Sequence, residues 1–167
     1  DGSNLHHSLQ RTFNRTDLSI DKLRYALAGE RRLVRSYYYA ALLDQSKQEE
    51  QFRAQQRFLR AITRLPYSEV RWRRLVYRNW PNERPIEKGV DIYLTADMLM
   101  HCFRDLFDVC VLVSGDTDYA VALQAVKETG RHVEVALFPP EWSSQRLRDV
   151  ADRVWDLDVH FLADCWM

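Results

Sequence analysis

The chain has 167 residues, 46% of them hydrophobic and 29% charged, with no net charge at pH 7. That is ordinary globular composition with enough chain for one full core, so a single domain over residues 1–167 is expected. No apolar run approaches the ~20 residues of a membrane helix. No secretory signal pattern is visible. The three cysteines, Cys102, Cys110 and Cys165, form no CxxC pair. They argue against a disulfide framework or a zinc site and point to a reducing cytoplasm.

The zero balance conceals a division. Residues 1–80 carry 16 Lys and Arg against 8 Asp and Glu, and residues 81–167 carry 8 against 16. This is the distribution expected if one surface attracts a polyanion and another holds cations. Most such charges simply lie on solvated faces.

In chain order, residues 5–28 read as a helix anchored by Leu5, Leu9, Leu18, Leu23 and Leu27, with a break near Asn14 and a cap at Ser3 or Asn4. Residues 31–43, with Leu33, Val34 and three consecutive tyrosines, read as a strand. Residues 46–65 place Ala54, Phe58, Ala61, Ile62 and Leu65 at helical spacing before Pro66. A second strand is expected over 70–77 and a loop over 79–85, which holds Pro81 and Pro85. A helix follows over 91–103, a central strand over 109–114, and a helix over 119–129 that stops at Gly130. Residues 133–138 read as a further strand, ended by Pro139 and Pro140. Ser143 or Ser144 would cap a last helix reaching about Trp155. Alternating strands and helices imply a mostly parallel sheet covered on both faces.

Val111-Leu112-Val113-Ser114-Gly115-Asp116-Thr117-Asp118 is an apolar run that stops abruptly and then presents two acids. Open α/β folds build their sites at such strand ends. Asp1-Gly2-Ser3-Asn4 and Lys88-Gly89-Val90-Asp91, with Asp97 beyond, repeat the theme. In folds of this class a loop like the first follows a buried strand, so a strand is expected before Asp1. Two carboxylates about 4 Å apart repel by roughly 4 kcal/mol at an effective dielectric near 20. A convergence of several therefore calls for a cation, and oxygen-only ligands favour Mg²⁺ or Mn²⁺. Each acid also has a plainer reading. Asp116 and Asp118 could cap the next helix, Asp91 could be a helix cap, and Asp97, six residues on, does not share its face. Asn4 could reach phosphate or simply cap. Lys88 could pair with an acid or with phosphate.

These three segments, in this order and spacing along nearly the whole chain, resemble the signature segments of the NYN (LabA-like) family of PIN-domain-like ribonucleases. The stretch from Ala125 to Val135 also resembles the family's helix, turn and strand. The resemblance implies a three-layer α/β/α sandwich and a Mg²⁺- or Mn²⁺-dependent, RNA-cleaving site. By motif match it implies Asp1, Asp91, Asp116 and Asp118 as catalytic and metal-binding acids, supported by Asn4, Asp97, Lys88 and Ser114. The strand that the pattern places ahead of Asp1 is expected to lie outside these 167 residues, and Tyr119 stands where Phe is frequent.

The basic half offers candidate RNA contacts. Arg35, Arg71 and Arg73 lie among tyrosines and Trp72. Arginine binds phosphate and aromatic rings stack on unpaired bases, although strand alternation sends half of these side chains inward. His7, just past the first acidic loop, is a further candidate. Single-stranded RNA and a second copy of the chain are the expected partners, with no membrane. Two other readings compete with a ribonuclease. One is an RNA- or protein-binding regulatory module with little turnover. The other is a phosphatase of the haloacid dehalogenase type, whose motif Gly115-Asp116-Thr117-Asp118 faintly resembles. That chemistry needs a second Asp two residues after the first, where this chain has Ser3.

Overall fold

The computed structural model describes residues 1–139 and 145–167. The elements run α1 (Gly2–Phe13), α2 (Ile20–Ala28), β1 (Ser36–Leu42), α3 (Glu49–Thr63), β2 (Ser68–Arg74), α4 (Val90–Phe103), β3 (Val109–Val113), α5 (Ala120–Glu128), β4 (His132–Leu137), α6 (Gln145–Val150) and β5 (Arg153–Asp156). A 3-10 turn, Thr117–Tyr119, leads into α5. Every strand pair is parallel: β1 pairs with β2, and β3, β4 and β5 form a second sheet in that order.

The strands are covered on both faces, and their alternation divides the core in two. On one face Val133, Val135 and Leu137 of β4, Leu112 of β3 and Tyr39 of β1 pack with Leu94 and Met98 of α4, Leu123 and Val126 of α5, and Leu147 of α6. On the other face Ala136, Val111, Val113 and Tyr38 pack with Leu5 and Leu9 of α1, Leu23 and Leu27 of α2, and Leu157 and Leu162 near the C-terminus. Two helical layers around parallel strands make the expected α/β/α sandwich. Asp1 and Gly2 fit between the two sheets. The Asp1 backbone nitrogen donates to Val113 O at 3.5 Å. A Cβ on Gly2 would stand 2.6 Å from Tyr39 O, so only glycine lets α1 approach β1 this closely.

Several boundaries differ from the sequence reading. The break foreseen near Asn14 divides the stretch read over 5–28 into two helices, since Asn14 adopts a left-handed φ of 52° and closes α1, while Ser19 caps α2. Asp1 rather than Ser3 or Asn4 caps α1. Strand β1 starts later than expected, since Arg31 turns back to Leu27 O and Glu134. Strand β2 keeps register with β1 from Ser68 to Arg74, after which Val76 pairs antiparallel with Ile86. The last helix ends at Val150, not near Trp155. Asp152 N donates to Val133 O and starts β5 on the edge of β4. The expected cap at Ser143 or Ser144 lies outside the described residues.

Candidate active site

Three loops meet at the C-terminal ends of β1 and β3. The Asp1 carboxylate is held at both oxygens: Asn4 N donates to Oδ1 at 3.1 Å, and Ser114 Oγ donates to Oδ2 at 2.9 Å. Ser114, only 2% exposed, also accepts from Asp116 N at 3.2 Å. It therefore links the first acidic loop to the third. Asn4 makes a second link, accepting from Gly115 N at 2.9 Å. Asp116 Oδ1 accepts from Asp118 N at 3.0 Å, which caps the 3-10 turn and leaves Asp118 exposed. The capping role foreseen for Asp116 is thus present, whereas neither Asp118 nor Asp91 caps a helix, and the cap at Asp1 was not foreseen. Each capping carboxylate keeps further lone pairs for other work.

Asp91 stands in the first turn of α4, whose cap is Gly89 at φ 80°. The helix N-terminus favours a carboxylate there. Four acids lie near enough to the Tyr119 hydroxyl for their charges to act on it. Tyr119 is buried, and burial raises its pKa well above the ordinary tyrosine value, with the charges of Asp116, Asp91, Glu87 and Asp118 adding to the rise. Among the described residues no Lys or Arg forms an ion pair with Asp1, Glu87, Asp91, Asp116 or Asp118. Nor, among them, do three His, Cys, Asp or Glu side chains stand close enough to hold one metal ion as they are.

Glu87 escaped the sequence reading. Its carboxylate accepts from Ser3 Oγ, and its charge reaches both Tyr38 and Tyr119. Its only local signal is a position four residues before Asp91, and Ser3 is 84 residues away. Asp97 is not part of the convergence. It accepts from Tyr39 Oη at 3.0 Å and stands 3.6 Å from Arg71 Nε. Arg71 also pairs with Glu69 at 2.8 Å, and Arg35 pairs with the same Glu69 at 2.5 Å. Arg73 lies 4.6 Å over the Tyr93 ring and is exposed. His7 and Lys88 are exposed, His7 with its ring edge-on to His6 at 5.7 Å.

A family model for the NYN domain matches residues 1–158. The chain belongs to the NYN family. NYN domains are a PIN-like ribonuclease family. No curated protein matches the chain. The crystal structure of a protein of unknown function from Vibrio parahaemolyticus is similar at TM-score 0.70 and 21% identity, over 97% of this chain and 91% of the other. At that identity the likeness speaks for the α/β fold alone and not for an activity. No helix among the described residues is long and apolar enough to cross a membrane.

Proposed function

We propose that this NYN domain hydrolyses RNA phosphodiesters with Mg²⁺ or Mn²⁺ held by Asp1, Asp91, Asp116 and Asp118. One observation carries the reading: acids from three loops converge at the strand ends without a Lys or Arg partner among the described residues. Their oxygen-only chemistry fits a small hard cation. Mg²⁺ commonly keeps several waters and takes one or two carboxylates, so a preformed cage of three is not required. When bound, the cation neutralises phosphate charge and acidifies water.

The chain's own residues do the rest. Asp118, exposed and held by its backbone to Asp116, accepts the proton of the attacking water. Ser114 and Asn4 tie the first loop to the third, so Asp1 and Asp116 keep their relative positions. Attack in line with the 3′ oxygen leaves a 5′ phosphate on the released fragment. Lys88, Arg73 and His7 are exposed and available to phosphate. Arg35 and Arg71 would have to give up Glu69 to take that role. Asp97 holds Tyr39 and Arg71 in place and takes no part in the reaction.

The test is incubation with end-labelled single-stranded RNA, with and without Mn²⁺, beside Asp116→Asn. Metal-dependent cleavage to 5′-phosphate ends, lost in the variant, is expected. RNA bound but intact under every metal would favour a binding module. Equal cleavage by both proteins would remove the acids from the mechanism.

A further inference from the structure

A site built of unpaired carboxylates repels a polyanion, so affinity for RNA has to come from elsewhere on the surface. Five of the fourteen arginines in residues 1–80 are already engaged by acids away from helix α3. Arg15 pairs with Asp17, Arg24 with Asp21, Arg31 with Glu134, Arg35 with Glu69, and Arg71 with Glu69 and Asp97.

Helix α3 is different. Between Glu50 and Glu69 the chain has four arginines, Arg53, Arg57, Arg60 and Arg64, and no acid. At 3.6 residues per turn the four fall within an arc of about 60° on the helix. That arc lies opposite Leu59 and Ile62, the buried residues of α3. All four arginines are exposed. Arg53 is paired with Glu49 at 2.6 Å. Arg57, Arg60 and Arg64 have no ion-pair partner among the described residues. Ala54 and Ala61 flank the row with short side chains, leaving the guanidinium groups open to approach. A solvated helix face ordinarily mixes both signs, and this one does not beyond its first turn. Favourable interaction with the helix C-terminus explains Arg60 and Arg64 but not Arg57, in mid-helix.

The row runs about 17 Å along the helix at 1.5 Å per residue. Its Arg53 end lies at the start of α3, beside the C-terminal end of β1. Gln55 donates to Ala41 O at 2.8 Å and accepts from Leu43 N at 3.0 Å. These bonds fix the start of α3 at the C-terminal end of β1, the strand whose Tyr39 packs against Gly2.

We propose that Arg57, Arg60 and Arg64, continued by Arg53, form a phosphate-binding row that holds the RNA backbone outside the acid site. The guanidinium fork suits phosphate oxygens in a bidentate way that lysine does not. The identity of the polyanion rests on the ribonuclease reading; the row itself does not.

The test is binding of a fluorescent single-stranded oligouridylate by wild type in EDTA, where no metal-dependent cleavage intervenes, followed by anisotropy across a salt series. The variants are Arg57→Glu/Arg60→Glu, the milder Arg57→Gln/Arg60→Gln, and Arg32→Glu, an exposed arginine away from the row. The Gln pair is expected to weaken binding at least tenfold and to flatten the log–log salt slope by about 1.4, the value for two lost single-strand phosphate contacts. The Glu pair is expected to weaken it further, while Arg32→Glu changes it less than twofold. Unchanged affinity and slope in both double variants would overturn the proposal and leave the row to an acidic protein partner. An equal loss in Arg32→Glu would also overturn it, because bulk charge alone would then explain binding. Row-dependent binding by a protein that cleaves nothing would uphold the row while the nuclease reading fell. Asp116-dependent cleavage with row-independent binding would do the reverse.

Discussion

Ser114→Ala tests how the acid site is held together. Ser114 Oγ donates to the Asp1 carboxylate at 2.9 Å and accepts from Asp116 N at 3.2 Å, and the side chain is 2% exposed. Alanine removes both bonds without adding bulk. A hydrogen bond to a charged group is worth about 1.5–3 kcal/mol and a neutral one about 1 kcal/mol. The expected loss is therefore about 3 kcal/mol. For a chain of this length each kcal/mol moves the midpoint by about 2–4 °C, so Tm should fall by about 9 °C. Urea unfolding followed by circular dichroism gives the same quantity through the midpoint at unchanged m-value. A double-mutant cycle with Asp1→Asn should return a coupling of about 1 kcal/mol or more, because the two side chains touch. A variant melting within a degree of wild type, with no coupling, would mean that Ser114 does not join the two loops.

Gly2→Ala should destabilise by about 2–3 kcal/mol in the same assay, as an overpacked contact does. Its Cβ would meet Tyr39 O at 2.6 Å and Tyr38 Cε1 at 2.7 Å, and the backbone oxygen cannot yield. Burial works to raise the Glu134 carboxyl, but hydrogen bonds from Arg31 and Trp155 and the Arg31 and Arg153 charges outweigh it and hold the group below its ordinary value of 4.5. Its ionised form therefore contributes stability above pH 4.5 that is lost as pH falls through the depressed folded value. The stability gap between wild type and Glu134→Gln should be full at neutral pH and close on acidification, as read by unfolding at a series of pH values. Tyr39→Phe should cost about 1 kcal/mol, since it deletes one hydrogen bond to Asp97. It should leave RNA cleavage near wild type, because Asp97 faces Arg71 and not the acids around Tyr119.

What the sequence made legible follows from how local each signal is. The central strand β3 reads directly from Val109 to Val113, an apolar run cut off by Ser114 and Gly115. The α4 and α5 helices end near where they were expected, α5 just ahead of Gly130. Strand β5 was hidden because Leu147, Val150 and Val154 continue a helical spacing, and only pairing with β4 overrides it. The break between α1 and α2 was legible at Asn14, a residue type that adopts the left-handed φ found there more readily than most. At the site, acids that follow strand ends or open a helix were visible as a pattern. Glu87 was not, because a loop glutamate looks solvated until the fold brings Ser3 to it. The pairing of Arg71 with Asp97 was invisible for the same reason: β2 and α4 meet only in the folded chain.

The central claim is that the unpaired acids bind a divalent cation, and Mn²⁺ titration by calorimetry or electron paramagnetic resonance tests it directly. Wild type should bind Mn²⁺ saturably, Asp116→Asn and Asp118→Asn should lose that binding, and Asp97→Asn should keep it. Saturable binding unaffected by Asp116→Asn and Asp118→Asn, or no binding by wild type, would contradict the account.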